Sequence, residues 1–214
     1  MFSFFKPKDI GIDLGTANTL IYEKDSGIIL NEPSVIAVDA DTPKIIAVGI
    51  EAKAMLGKAP KNINVVRPLQ DGVISDFDKT ADMLKTFMER AIKTNKIKNF
   101  RVAVGVPTGV TEVERRAVEE VVRNMGATEV YIMDEPMAAA IGSGLPVDGN
   151  TGCMIADIGG GTTDVAIIAL GGIVSSTSIR HAGDKFNEAI VQYMRKRHAL
   201  LIGEKTAEEL KINI

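Results

Sequence analysis

Two stretches of this chain follow one plan, and that repeat constrains its fold more than any other feature. They are IGIDLGTANTLIYEKDSGIILN (residues 10–31) and MIADIGGGTTDVAIIALGGIVSS (residues 154–176). Each reads as an apolar strand, an aspartate, an apolar residue, a glycine turn carrying threonine, a second strand, a glycine and a third strand. Asp13 corresponds to Asp157 and Gly15 to Gly159, each 144 residues apart, while Gly27 and Gly172 are 145 apart. A strand gains nothing from three consecutive glycines, which bring no side chain and a large unfolded-state entropy. Either the turn is tight, or something must approach its backbone closely. Two such turns in matched contexts favour the second reading: a pair facing one cleft suits a polyphosphate.

Between the copies the pattern alternates. Ala81, Leu84, Phe87, Met88, Ala91 and Ile92 fall on one helical face behind a cap at Asp76 or Asp78. RVAVGVP is a buried-strand run, TEVE (Thr111–Glu114) a capping box closed later by Gly126, EVYIMD a strand and EPMAAAIGSGL a short helix. A second capping box, TAEE, begins at Thr206. Strand–helix–strand succession implies parallel crossovers and an α/β protein. A second half as long as the first would reach about residue 288. The 214 residues therefore read as the first three quarters of a two-domain protein.

Backbone N–H groups in glycine turns make concave anion sites. Gly159, Gly160 and Gly161 supply one cradle, and Gly15, Thr16, Ala17 and Asn18 the other. No Gly-Lys-Ser or Gly-Lys-Thr of a Walker loop is present, and each turn leads to a strand, unlike a dinucleotide fingerprint. Asp13 and Asp157 would repel phosphate unless a hard cation, Mg²⁺ held largely through its waters, stands between them.

Other function classes are disfavoured by composition. A formal charge of −3 with scattered basic residues gives no support to nucleic-acid binding, and MRKRH (194–198) reads as a solvated helix face. The single cysteine, Cys153, forms no internal disulfide, and with two histidines it makes a zinc site improbable; a reducing, cytoplasmic setting fits. No apolar run approaches the roughly 20 residues of a membrane span. MFSFFKPKD at the start reads as a frayed end or first strand, or as a short membrane-surface anchor through Phe2, Phe4 and Phe5 ahead of Lys6 and Lys8. Ile97 and Phe100 in NKIKNF, a turn before RVAVGVP, form a second apolar patch among basic residues.

IGIDLGTANT and DIGGGTTDVAII resemble the first and second phosphate motifs of the actin, Hsp70 and sugar-kinase superfamily, and DEPMAAAIGSGL its first connecting helix. NEPSVIAV, VGIEAKAMLGKAP, VRPLQDGVISDFD, GVTEVERRAV and LLIGEKTAEELKI are similar to the MreB family of bacterial actins, across essentially the whole chain. The resemblance implies an actin-like, duplicated α/β ATPase fold. Residues 1–32 and 67–147 would form the first large subdomain, and 33–66 the first small one. Residues 148–181 and 182–214 would form incomplete second large and small ones. It implies ATP with Mg²⁺ at Asp13 and Asp157, Glu135 orienting the attacking water with help from Thr162, and Gly183, Glu208 and Lys211 near the nucleoside. It implies self-assembly into filaments on the inner face of the cytoplasmic membrane, working with cell-wall elongation proteins to set rod shape. The family's third glycine-rich motif and the helix returning to the first domain are not in the sequence, so this chain alone is expected to bind and turn over ATP weakly. Sugar-kinase-like and Hsp70-like ATPases share the core and are the alternatives. A kinase would need an aspartate base, and the short segment 33–66 leaves little room for the larger chaperone lobe.

Overall fold

The computed structural model describes residues 7–42, 44–70, 72–92, 99–108 and 110–214. The first repeat copy is an antiparallel meander of β1 (Lys8–Leu14), β2 (Asn18–Glu23) and β3 (Gly27–Pro33). Strand alternation turns Ile10, Ile12 and Leu14 into the core and leaves Asp9, Gly11 and Asp13 on the other face. The chain then builds a small sheet, ordered β5-β4-β6, from β4 (Ile36–Asp39), β5 (Ile45–Val48) and β6 (Ile63–Val66), with α1 (Ile50–Met55) after β5. Val35, Ala37, Ala47 and Ala52 form its own core. A two-strand ribbon, β7 (Leu69–Gln70) and β8 (Val73–Ile74), returns toward the main body and turns at Gly72, whose φ of 76° suits a residue without Cβ.

α2 (Phe77–Ile92) is capped by Asp76, whose Oδ1 accepts from the Lys79 N–H at 3.0 Å. It buries Leu84, Phe87 and Met88 as the periodicity predicts, and Met83 besides. β9 (Phe100–Val106) and β10 (Ala127–Asp134) run parallel to β1 and complete a five-stranded sheet, β10-β9-β1-β2-β3. The crossover helix α3 (Glu112–Asn124) starts on the expected Thr111–Glu114 capping box. α4 (Glu135–Gly142) leads to the second repeat copy, β11 (Cys153–Ile158), β12 (Thr163–Ala169) and β13 (Gly172–Ile179), again an antiparallel meander. α5 (Gly183–His198) and α6 (Glu204–Asn213) follow.

The duplication is visible in register. Leu14 pairs with Thr19 and Ile158 with Thr163, so both glycine turns enclose the same number of residues. The extra residue of the second copy lies further on, where β12 is longer than β2. Each copy also carries a β-bulge in its third strand, where Ile29 is extra opposite Ile21/Tyr22 and Val174 is extra opposite Ile167/Ile168.

Two expectations are corrected. Phe100 does not face a membrane: it is the first residue of β9, 1% exposed, and packs in the main core with Val102, Val104 and Val106. The strand starts one residue before RVAVGVP, and alternation then turns Phe100 inward. Pulling it out would forfeit roughly 1.5–3 kcal/mol of burial. Thr206 does not cap α6, because the extended residue Gly203 does, and its carbonyl receives the Ala207 N–H at 3.1 Å. Phe2, Phe4, Phe5 and Ile97 lie outside the described residues. Among the described residues no helix is long and apolar enough to cross a membrane.

The second sheet is covered on one face only. Ala140 of α4 packs with Ala166 and Ile168, whereas Met154 and Ile167, directly paired on the other face, are 67% and 43% exposed. Exposed apolar sheet surface promotes association. Met154→Glu combined with Ile167→Lys, a cross-strand ion pair, is expected to lower binding of a hydrophobic dye and raise the concentration at which the chain stays monomeric. Unchanged dye fluorescence would show that this face is not the exposed apolar surface that matters.

Candidate functional site: two glycine turns over a carboxylate cleft

The two glycine turns meet. A Cβ added to Gly160 would lie 2.5 Å from the Ala17 Cβ, so the second turn rests directly on the first. Gly15 must lack a side chain for a local reason: a Cβ there would come within 2.7 Å of the Asn18 carbonyl oxygen across its own turn. The second turn closes on a Gly159 N–H to Thr162 O bond of 2.9 Å. Two of its carbonyls cap α5: the N–H groups of Gly183 and Asp184 donate to Gly159 O and Gly160 O at 3.1 and 2.9 Å. The first orphan donors of a helix are thereby satisfied.

Together the turns bound a cavity of about 350 Å³. Every cleft residue expected from sequence lines it. Asp13, Asp157 and Glu135 stand with Gly15–Asn18 and Gly159–Thr162, while Gly183, Glu208 and Lys211 form the far wall. Strand ends position the carboxylates: Asp13 and Asp157 are each the last residue but one of a strand, one residue short of the glycine turn, and Glu135 opens α4 directly after β10.

These carboxylates stand close enough to disturb one another. Burial, and then the Asp157 charge, raise the Asp13 carboxyl above its ordinary range. Burial, and then Asp164, raise Asp157. Glu135 is pushed up to about 8, mainly by burial and further by Asp13, Asp164 and Asp157. Its Oε1 is buried without a hydrogen-bond partner. Carboxylates crowded in this way favour a cation beside them. The donor set fits a hydrated divalent ion beside phosphate. Among the described residues no three acidic or histidine side chains converge as direct ligands, which leaves water to complete the shell.

Between the ordinary glutamate value near 4.5 and about 8, the folded chain holds a proton on Glu135 that the unfolded chain releases. Without cation, stability should therefore fall as pH rises through that window. Glu135→Gln is expected to raise the melting temperature at about pH 8 and flatten this slope, each kcal/mol relieved being worth roughly 2–4 °C. Identical melting curves for both proteins across the window would contradict this electrostatic picture.

Several site residues had no clear signal in the sequence. Asp164, 2% exposed on β12 opposite Asp157, accepts from the Thr108 N–H at 3.3 Å and the Thr108 hydroxyl at 2.5 Å, joining the two halves at the cleft floor. It closes the DIGGGTTD stretch, and an aspartate on an inward strand position was the available sign. Gly72 donates its N–H to Thr16 Oγ1 at 3.1 Å, and a Cβ on it would meet the Thr162 methyl at 2.9 Å. On the outer wall, Glu208 takes both contacts of Lys53 Nζ, at 2.8 and 3.1 Å, and Arg67 reaches Asp184 and Glu204 at 3.1 and 3.0 Å. Lys211 donates to Gly183 O at 3.1 Å.

A duplicated strand–turn–strand unit, its two glycine turns touching over a carboxylate-lined cleft, defines an actin-like fold. Residues 7–214 match the MreB/Mbl protein family, and the chain belongs to it. It is 54% identical over 211 residues to the cell shape-determining protein MreB of Escherichia coli K12, a match covering 96% of this chain and 61% of that protein. With the cell shape-determining protein Mbl of Bacillus subtilis 168 it shares 49% over 207 residues, covering 97% and 62%. The crystal structure of MreB 5 of Spiroplasma citri bound to AMPPNP superimposes with a TM-score of 0.88 at 45% identity, over 96% of this chain and 62% of that one. The chain thus spans about three fifths of the length of the relatives it matches.

Proposed function

We propose that this chain forms the nucleotide-binding part of a bacterial actin-like cytoskeletal protein, which binds ATP with Mg²⁺ and polymerises into membrane-associated filaments that direct cell-wall elongation and rod shape. The observation that carries the reading is the contact of Gly160 with Ala17, which merges two anion-binding turns into one cradle facing Asp13 and Asp157. Its support from relatives is the AMPPNP bound by the Spiroplasma citri protein and the cell shape-determining role of the Escherichia coli and Bacillus subtilis proteins.

The turns hold the β- and γ-phosphates through backbone N–H groups, and Thr16 and Asn18 flank them. Asp13 and Asp157 would hold Mg²⁺ through its waters. The ion, when bound, neutralises the phosphate charge and the mutual repulsion of the carboxylates. Glu135, once ionised, would accept a hydrogen bond from the attacking water, with the Thr162 hydroxyl as second anchor. This is positioning more than proton removal. Gly183, Glu208 and Lys211 shape the nucleoside side. The subdomain division at residues 32/33, 66/67, 147/148 and 181/182 goes with this reading.

Attachment to the inner face of the membrane is assigned to Phe2, Phe4, Phe5 and Ile97 with neighbouring lysines. One subunit binds marginally and a filament strongly, since avidity multiplies a weak contact. Sedimentation tests assembly and attachment together. Protein that pellets only with Mg·ATP, and then co-sediments with anionic vesicles, is the expected result. Protein that binds ATP yet stays in the supernatant at every concentration would point to a kinase-like ATPase instead.

A further inference from the structure

The first phosphate turn is held from behind by a buried hydroxyl relay. Ser34 lies between β3 and β4, where the chain leaves the main sheet for the small one. Its Oγ donates to Gly15 O at 2.6 Å, and its N–H donates to Ala17 O at 3.0 Å. One residue therefore takes two carbonyls of a turn whose N–H groups must face the cleft. Thr19, on β2 just beyond the turn, lies 2.9 Å from Ser34 through its hydroxyl, and both residues are 0% exposed. A serine hydroxyl has one proton, and here Gly15 O receives it. Thr19 must then be the donor to Ser34, giving a directed chain, Thr19 O–H to Ser34 O–H to Gly15 O. Buried and fully paired chains of this kind specify one geometry.

From this we infer that Ser34, oriented by Thr19, is a positioning residue for the phosphate cradle. It fixes the carbonyl side of the first turn, so that the turn's N–H groups are presented together. Because Gly160 rests on Ala17, the second turn inherits the placement. The relay also couples the cradle to the small sheet, for Val35 and Ile36 directly after Ser34 are 1% and 0% exposed, and Val35 O receives the Gly49 N–H at 2.8 Å. A shift of the small sheet thus reaches the phosphate turn through Ser34. The part concerning phosphate rests on the nucleotide reading above, whereas the clamp itself does not.

Amide hydrogen exchange on the nucleotide-free chain tests the clamp. Ser34→Ala is expected to speed exchange of the residue-34 N–H, which donates to Ala17 O, about tenfold, the worth of the hydrogen bond lost at Gly15 O, while β1 and β9 amides keep wild-type rates. Thr19→Val, which keeps the shape and removes the donor, should give the same local pattern, and Thr19→Ser should restore wild-type protection. A residue-34 amide unchanged in Ser34→Ala, or accelerated in step with the whole sheet, would overturn the inference. In a second arm, Mg·ATP and AMP are titrated into wild type and Ser34→Ala. About tenfold weaker ATP binding with AMP unaffected supports the positioning role, and equal ATP affinity overturns it. No ATP binding to wild type would instead defeat the nucleotide reading, and exchange would still decide the clamp.

Discussion

Asp157→Ala is expected to weaken Mg·ATP binding about 10²-fold, the loss usual when a residue orienting a metal's water shell is removed. The reason lies in the arrangement of charge. Asp157 and Asp13 end equivalent strands of the two repeat copies and line one cavity, each raised by burial. Carboxylates so placed gain only if a cation stands between them and the phosphates. Removing Asp157 should also relieve Glu135, which feels its charge. The metal-free variant is therefore expected to be no less stable than wild type while binding Mg·ATP poorly. Calorimetry with and without Mg²⁺ checks both halves, and unchanged Mg·ATP affinity would remove Asp157 from the metal site.

Glu135→Ala is expected to do the reverse, sparing binding and slowing hydrolysis on the order of 10²-fold or more. Glu135 stands at the first position of α4, beside β9: a Cβ on Gly105 would meet its Cγ at 3.3 Å. Its free Oε1 faces no protein donor. A group that only stabilised the helix start would be worth some tenths of a kcal/mol and would leave turnover alone. Single-turnover hydrolysis at saturating Mg·ATP separates the two. Wild-type turnover in the variant would reduce Glu135 to a helix-start charge.

The parts of this architecture legible in the sequence are those encoded locally. Asp-x-Gly followed by threonine, repeated at one spacing, marks both turns, and Thr111 with Glu114 marks the start of α3 because both partners of a capping box lie within one turn of helix. Element boundaries were less legible. Phe100 sits at a strand start among basic residues, where one position decides between core and surface. Gly203 displaces Thr206 as a cap because an extended glycine begins the helix earlier. Least legible were groups brought together by the tertiary fold. Nothing near Lys53 announces Glu208, which lies 155 residues away, and nothing near Ser34 announces Gly15 O. Asp164 was visible as a residue, yet its partner Thr108 comes from the other half of the chain.

A phosphate cradle made of two touching glycine turns above paired carboxylates requires a divalent cation. Phosphorus NMR of ATP tests it most directly, because line broadening reports even weak binding. With Mg²⁺ present, the wild-type chain is expected to broaden and shift the β- and γ-phosphate signals, and chelating the ion should abolish most of the effect. Gly160→Val, whose side chain would occupy the place of Ala17, should leave the spectrum of free Mg·ATP. Equal broadening by wild type and Gly160→Val, or broadening indifferent to Mg²⁺, would contradict the account.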